Sequence, residues 1–155
     1  MAVVCGYCAA RWQNNEPPRP VARVCRSCGL GLLLYAREDA APGERDAFLV
    51  VDRSLRVQAL SRCAETLLGV CEEAAVQRPV GELLVCADAQ AQSSGALVDA
   101  IMNVNADSGR PVGVMVRPAG TFGLRMRGRI ARCGPPRAAL IVLQNLTNSR
   151  LRAVS

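Results

Sequence analysis

Residues 47–52 read Ala-Phe-Leu-Val-Val-Asp, and residues 138–145 read Ala-Ala-Leu-Ile-Val-Leu-Gln-Asn. Both stretches have the length and the β-branched content that are typical of strands. Each is apolar at odd and at even positions, and successive side chains of a strand point to opposite faces of a sheet. The sequence therefore predicts two strands that need an apolar cover on both faces.

The sequence around these strands predicts a mixed α and β unit. Ser61 is typical of a helix N-cap and Gly69 of a C-cap, so we expect a short helix between them. Leu97, Ile101 and Val104 recur at helical spacing and indicate a second helix over residues 94–105. The remaining predicted strands are residues 55–60, 112–117 and 122–132.

The order and spacing of these segments resemble a PAS domain over residues 46–149. The segments that carry the resemblance are 48–52, 55–61, 64–69, 80–84 and 140–147, the last of which ends in Asn-Leu-Thr, similar to the closing Asp-Ile-Thr of the family. The resemblance implies an α+β fold, with a five-stranded antiparallel sheet and helices on one face. It also places strands 47–52 and 138–145 side by side at the centre of the sheet and implies a sensory or interaction role.

The second face of that sheet needs a cover that the PAS-like helices do not supply. The candidates are the N-terminal segment, a second copy of the chain, or a different partner. Soluble monomers rarely expose a large apolar patch, and a self-complementary patch favours a twofold dimer. We therefore expect a homodimer or a complex with a separate signalling protein.

Four of the eight cysteines form two C-x-x-C pairs, Cys5 with Cys8 and Cys25 with Cys28, separated by 16 residues. This spacing is typical of sites in which two pairs of thiolates form a tetrahedral cage. Residues 1–37 are too few to fold by apolar burial alone, and a metal ion compensates for that. We expect zinc on these four cysteines, in a module that resembles a zinc ribbon. A rubredoxin-like iron site has the same sulfur geometry and is the alternative.

The composition changes near residue 40 and indicates the domain boundaries. We predict a metal-binding module at 1–37, a polar linker at 38–45, a PAS-like unit at 46–149 and a tail at 150–155. A proline-rich insert at 16–20 lies inside the first module.

The absent residue types exclude several classes of chemistry. The chain has no histidine, and all 19 basic residues are arginine. Ser-His and Cys-His nucleophile pairs, haem ligation by histidine and Schiff-base chemistry are therefore excluded. The carboxylates Asp52, Glu65 and Asp99 are dispersed along the chain, so we expect no enzyme.

The other four cysteines, Cys63, Cys71, Cys86 and Cys133, have irregular spacing, and we interpret them as reduced and structurally ordinary. The Asn-Cys-Arg-Phe-Leu-Gln sequence of light-sensing flavin PAS domains does not occur in the chain. No motif identifies another cofactor, and binding of a small apolar ligand in the PAS pocket is left as an open alternative.

The charge pattern limits the classes of partner that the sequence predicts. Arg125, Arg127 and Arg129 alternate with apolar residues, so a strand would place all three on one face. A solvated outer face explains this pattern, and a nucleic-acid surface is the alternative.

The chain shows neither a signal peptide nor a membrane-spanning stretch. We expect a cytoplasmic, non-catalytic bacterial signalling or regulatory protein; the alternative is a nucleic-acid-binding regulator that uses the ribbon and this strand.

Overall fold

The computed structural model describes residues 2–11, 24–25, 27–87, 95–106, 110–121, 124–134 and 137–145. The predicted proline-rich insert, the tail at 150–155, the first two residues of the predicted strand 122–132 and the closing residues 146–147 lie outside this part of the chain.

The described residues form eight strands and three α-helices, followed here in chain order. The strands are β1 (Ala2–Cys5), β2 (Leu33–Ala36), β3 (Ala47–Val51), β4 (Val57–Leu60), β5 (Leu84–Cys86), β6 (Val112–Pro118), β7 (Met126–Gly134) and β8 (Ala138–Asn145). The helices are α1 (Arg62–Leu68), α2 (Glu72–Ala75) and α3 (Gly95–Ala106), with a 3-10 turn at Val80–Glu82. All predicted helices and strands are present, with shifts of a few residues at their ends.

All strands belong to one antiparallel sheet in the order β1-β2-β7-β8-β3-β4, with β6 paired to β7 and β5 paired to β6. Strand β8 pairs along one edge of β7, so β6 and β2 pair with different parts of its other edge. β6 pairs with residues 126–130 of β7, and β2 pairs with Cys133 and Gly134. The predicted number of strands, five, was therefore too low, because β5 and the N-terminal hairpin β1–β2 extend the same sheet.

One face of the sheet packs against the helices. Leu49 of β3 and Ile141 of β8 lie on this face, fully buried. Leu97, Ile101 and Val104 of α3 belong to the same apolar core, as their spacing predicted. The predicted adjacency of β3 and β8 is also confirmed, and their register places Leu49 opposite Ile141.

The opposite face carries a second apolar core. Phe48 and Val50 of β3 and Leu140 and Val142 of β8 are all buried there. The hairpin β1–β2 supplies their cover, through Ala2, Val4, Leu34 and Ala36. Of the three covers considered from the sequence, the structure shows the N-terminal segment. The exposed patch that motivated a homodimer is thus buried within one chain, and a homodimer stays a prediction without that support.

Ser61 ties the first helix to the centre of the sheet. Its hydroxyl oxygen accepts a hydrogen bond from the Ala64 amide at 3.2 Å, which is the N-cap contact predicted for this position. The same oxygen accepts from the Phe48 amide at 2.9 Å. Ser61 is 1% exposed, so both amides would lack a partner without it. Gly69 ends the helix in the left-handed conformation, with φ of 67°.

We expect Ser61→Ala to lower the free energy of unfolding by about 2 kcal/mol, since it removes a helix cap and leaves a buried amide of β3 unpaired. Urea denaturation followed by circular dichroism measures this. Ser54→Ala, in an exposed turn, is the matched control, for which we expect a change below about 0.5 kcal/mol. Equal stability of the two variants would contradict this role of Ser61.

Candidate metal centre

The four predicted cysteines converge at the tip of the N-terminal hairpin. Their sulfur atoms all lie within 4.8 Å of one another. Sγ of Cys5 lies 3.7 Å from Sγ of Cys28, and Sγ of Cys8 lies 3.7 Å from Sγ of Cys25. A tetrahedral site with metal–sulfur bonds of about 2.3 Å has sulfur–sulfur edges of about 3.8 Å. The four cysteines are therefore arranged so that they could hold a metal ion.

Two similar turns build the site. The amide of Ala9 donates to the Cys5 carbonyl at 3.2 Å, and the amide of Gly29 donates to the Cys25 carbonyl at 2.9 Å. Both donors have positive φ, 62° for Ala9 and 70° for Gly29. Each C-x-x-C pair is thus followed directly by a left-handed residue that turns the chain back.

Gly31 is a residue of the site that the cysteine pattern did not reveal. A Cβ atom at this position would collide with Sγ of Cys5 and lie 2.9 Å from Cβ of Tyr7. Only glycine lets the second turn approach the first closely enough to complete the cage. Its position three residues after Cys28 is the only signal in the sequence, and that signal becomes specific once the contact with Cys5 is known.

Backbone amides point at two of the sulfur atoms. The amides of Tyr7 and Cys8 donate to Sγ of Cys5 at 3.3 and 3.4 Å. The amide of Gly31 donates to Sγ of Cys28 at 3.4 Å. Hydrogen bonds of this kind stabilise negative charge on the sulfur atoms and fix their orientation.

The thiols differ in their affinity for protons. Burial raises the pKa of Cys5 to about 12 and also raises the pKa of Cys8. Burial acts in the same direction on Cys28, but the amides around it, that of Gly31 foremost, lower its pKa to about 6. Without a metal the cluster therefore holds a thiolate at Cys28 and protonated thiols at Cys5 and Cys8. A metal ion must displace those protons to bind.

Tyr7, between the first two cysteines, joins the metal centre to the helical layer. Its carbonyl accepts a hydrogen bond from the Arg62 amide at 2.9 Å, at the start of α1. The Arg62 guanidinium lies over the Tyr7 ring at 6.0 Å. The Glu65 carboxylate beside the Tyr7 hydroxyl raises the pKa of that hydroxyl. The backbone hydrogen bond and the ring contact together fix this turn against α1.

The dispersed carboxylates have separate structural contacts. Asp52 accepts hydrogen bonds from the amides of Ser54 and Arg56 and stabilises the turn before β4. Glu65 accepts from the Glu72 amide at 2.8 Å. Asp99 is exposed on α3. The structure does not bring these three side chains together, in agreement with their dispersal in the sequence.

The other four cysteines lie outside the metal cluster. Cys133 is buried where β2 meets β7, and burial raises its pKa to about 12. Cys71 is exposed, and Cys63 and Cys86 are half-buried. The thiols therefore differ widely in their access to solvent.

We expect an alkylating reagent to modify the exposed Cys71 first in the metal-loaded protein, and Cys133 only after unfolding. The reason is that alkylation requires both access and the thiolate form, and burial denies Cys133 both. Mass spectrometry of a time course measures the order of modification. A Cys71→Ser variant identifies the first site, and native modification of Cys133 as fast as that of Cys71 would contradict the expectation.

Comparisons with known proteins bear on the fold. No protein-family profile matches the sequence, and no curated protein is significantly similar to it. Several solved structures are similar. A PAS domain from Colwellia psychrerythraea has 16% identity and a TM-score of 0.51, covering 66% of this chain and 87% of its own.

Two further PAS domains agree with that likeness. The PAS domain of the quorum-sensing receptor RpfR from Cronobacter turicensis, solved in complex with BDSF, has 13% identity and a TM-score of 0.51 over 68% of this chain and 97% of its own. The PAS domain of nitrogen regulation protein NR(II) from Vibrio parahaemolyticus has 15% identity and a TM-score of 0.50 over 72% of this chain and 100% of its own. The antiparallel sheet with its layer of helices thus has a PAS-like fold, to which the four-cysteine hairpin is joined.

Proposed function

We propose that this protein is a non-catalytic signalling or regulatory module, in which a zinc-stabilised hairpin is joined to a PAS-like sensory or interaction unit. The PAS-like fold supports the sensory class. The all-sulfur donor set, with two edges of 3.7 Å, supports a tetrahedral zinc site on Cys5, Cys8, Cys25 and Cys28. The same geometry fits iron, and metal analysis of the purified protein separates the two.

The observation that carries the proposal is the double attachment of the hairpin. Its apolar side forms a common core with Phe48 and Leu140 of the central strands. Its metal-binding turn contacts α1 through Tyr7. A change at the metal centre therefore acts on the sheet and on the helical layer together, which is the coupling that a regulatory module needs.

The output is proposed to be association with a separate protein. The PAS domain of RpfR is solved in complex with BDSF. For this chain we propose at most a small apolar ligand between sheet and helices. The side chains of Leu60, Leu84, Ile101 and Met126 are fully buried in that layer, so such a ligand requires them to rearrange.

The proposed setting is the cytoplasm, where thiols stay reduced and available to a metal. Among the described helices, none is long and apolar enough to cross a membrane.

We expect the purified full-length protein to carry one zinc ion per chain and Cys5→Ser to lose it. Loss of the metal should lower the melting temperature by several degrees or more, because the hairpin and the central strands share a core. Amide exchange should also become faster in α1, β3 and β8. Native mass spectrometry measures the metal, any bound ligand and the oligomeric state together, and hydrogen exchange locates the change.

Cys63→Ser is the matched control, since Cys63 is half-buried and lies outside the metal cluster. It should keep its zinc and its exchange pattern. Less than about half an equivalent of metal in the wild-type protein would contradict the zinc site. Faster exchange confined to the hairpin would contradict the coupling while leaving the zinc site intact.

We expect the affinity for zinc to increase with pH. At pH 7 the thiols of Cys5 and Cys8 are protonated, because burial raises both pKa values, and the metal must displace at least two protons. The apparent binding constant should therefore rise about 100-fold or more between pH 7 and pH 8. Competition with a chelator of known proton affinity measures it, and a rise below about 10-fold would contradict this protonation state.

A further inference from the structure

The charges of this chain are divided unequally along its length. From residue 108 to residue 155 there are nine arginines and no aspartate or glutamate. The first 107 residues hold ten arginines and all 13 acidic residues. The net charge of +6 is thus a formal +9 on the last part of the chain and −3 on the rest. Such an asymmetry indicates a polyanionic partner for the basic part.

The structure places much of this charge on one face of the sheet. Arg127 of β7 lies opposite Met115 of β6 and Gln144 of β8, and side chains of directly opposed residues share a face. Arg129 lies on the same face, two residues further along β7. We call this surface the arginine face; its members are Arg117, Met115, Arg125, Arg127, Arg129 and Gln144.

The arginine face is the open half of the face whose other half the hairpin covers. Arg129 lies opposite Val142, which is 1% exposed in the core beneath the hairpin. Arg127 and Gln144, one step away, are exposed. Helix α3 packs against the opposite side of β6, β7 and β8, among Ile130 and Ile141. The arginine face therefore begins at the border of the surface that the hairpin covers.

The two central arginines are held against the sheet and have no carboxylate partner among the described residues. The Arg127 guanidinium lies over Gly113, where a Cβ atom would be 3.3 Å from Nε of Arg127. Nε of Arg129 is buried and has no hydrogen-bond partner among the described residues. The ion pairs found in the described part of the chain involve Arg11, Arg37 and Arg78, all outside the arginine face. Both side chains are therefore positioned at low entropic cost for an external anion.

The chemistry of the face favours phosphates of a duplex. Guanidinium groups bind phosphate oxygens in pairs, and charge-assisted contacts of this kind dominate the affinity for nucleic acids. The described members of the face include Met115 but no aromatic side chain, so the face does not offer the stacking platform that single strands use. An acidic protein is the competing partner, since it has complementary charge but lacks the regular phosphate array.

We propose that the arginine face binds the phosphate backbone of double-stranded nucleic acid, without reading its sequence. Arg127 and Arg129 form the centre of the contact. Arg117 and Arg125 have further interactions within the chain and flank it. The proposal depends neither on the zinc site nor on the sensory role, because the residues that carry it lie outside both.

The test is fluorescence anisotropy of the full-length, metal-loaded protein with a 24-base-pair DNA duplex, at several salt concentrations. The slope of log affinity against log salt counts the phosphate contacts, at about 0.9 per contact. Arg127→Gln and Arg129→Gln should each make the slope shallower by about 0.9, and the double variant by about 1.8.

The matched control is the double variant Arg45→Gln and Arg53→Gln, which removes the same charge from two exposed positions in the acidic part of the chain. It should keep the wild-type slope. An equal loss in this control would overturn the proposal, because binding would then depend on net charge alone. Equal or tighter binding to a single strand of the same length, or to poly-L-glutamate, would also overturn it. If Arg129→Gln unfolds the protein, the exposed Arg127→Gln variant decides the matter.

Discussion

The rest of the structure depends on one constraint, which is that β3 and β8 are apolar on both faces. A strand of this kind is stable only between two layers, because burying one face leaves the other in contact with water. Three helices cover the first face and form the larger core. The second face, with Phe48 and Leu140 at its centre, forces the N-terminal hairpin to fold across the sheet.

The hairpin β1–β2 is too short to be a stable cover for this face by itself. Its two strands have four residues each, and an isolated hairpin of this size is marginally stable in water. The cysteine cage lies at its tip, where it closes the turns and places Tyr7 against α1. A metal at this point would stabilise the cover, and the cover stabilises the sheet. The metal site and the second apolar core thus depend on the same hairpin.

The cover also divides the outer face into two regions of different chemistry. Beneath the hairpin the side chains are apolar, as at Val142, and beyond it they are cationic, as at Arg127. On this face β7 contributes Cys133 beneath the hairpin and Arg127 beyond it, while the alternate residues Met126 and Ile130 enter the helical core. The hairpin, from the start of the chain, and the arginine face, from its second half, thus share one face of the sheet.

The sequence determined what depends on short-range pattern. The strand periodicity of 47–52, the caps at Ser61 and Gly69, and the C-x-x-C spacing each fix a local geometry through neighbouring atoms, and all appear in the structure as expected. The tertiary structure alone decided how the hairpin meets the sheet, which makes β2 a neighbour of β7 and gives Gly31 its role. The physical reason is that these contacts join residues distant in sequence, 26 positions apart for Gly31 and Cys5 and about 100 for β2 and β7. A local pattern states that a face must be buried but not which segment buries it.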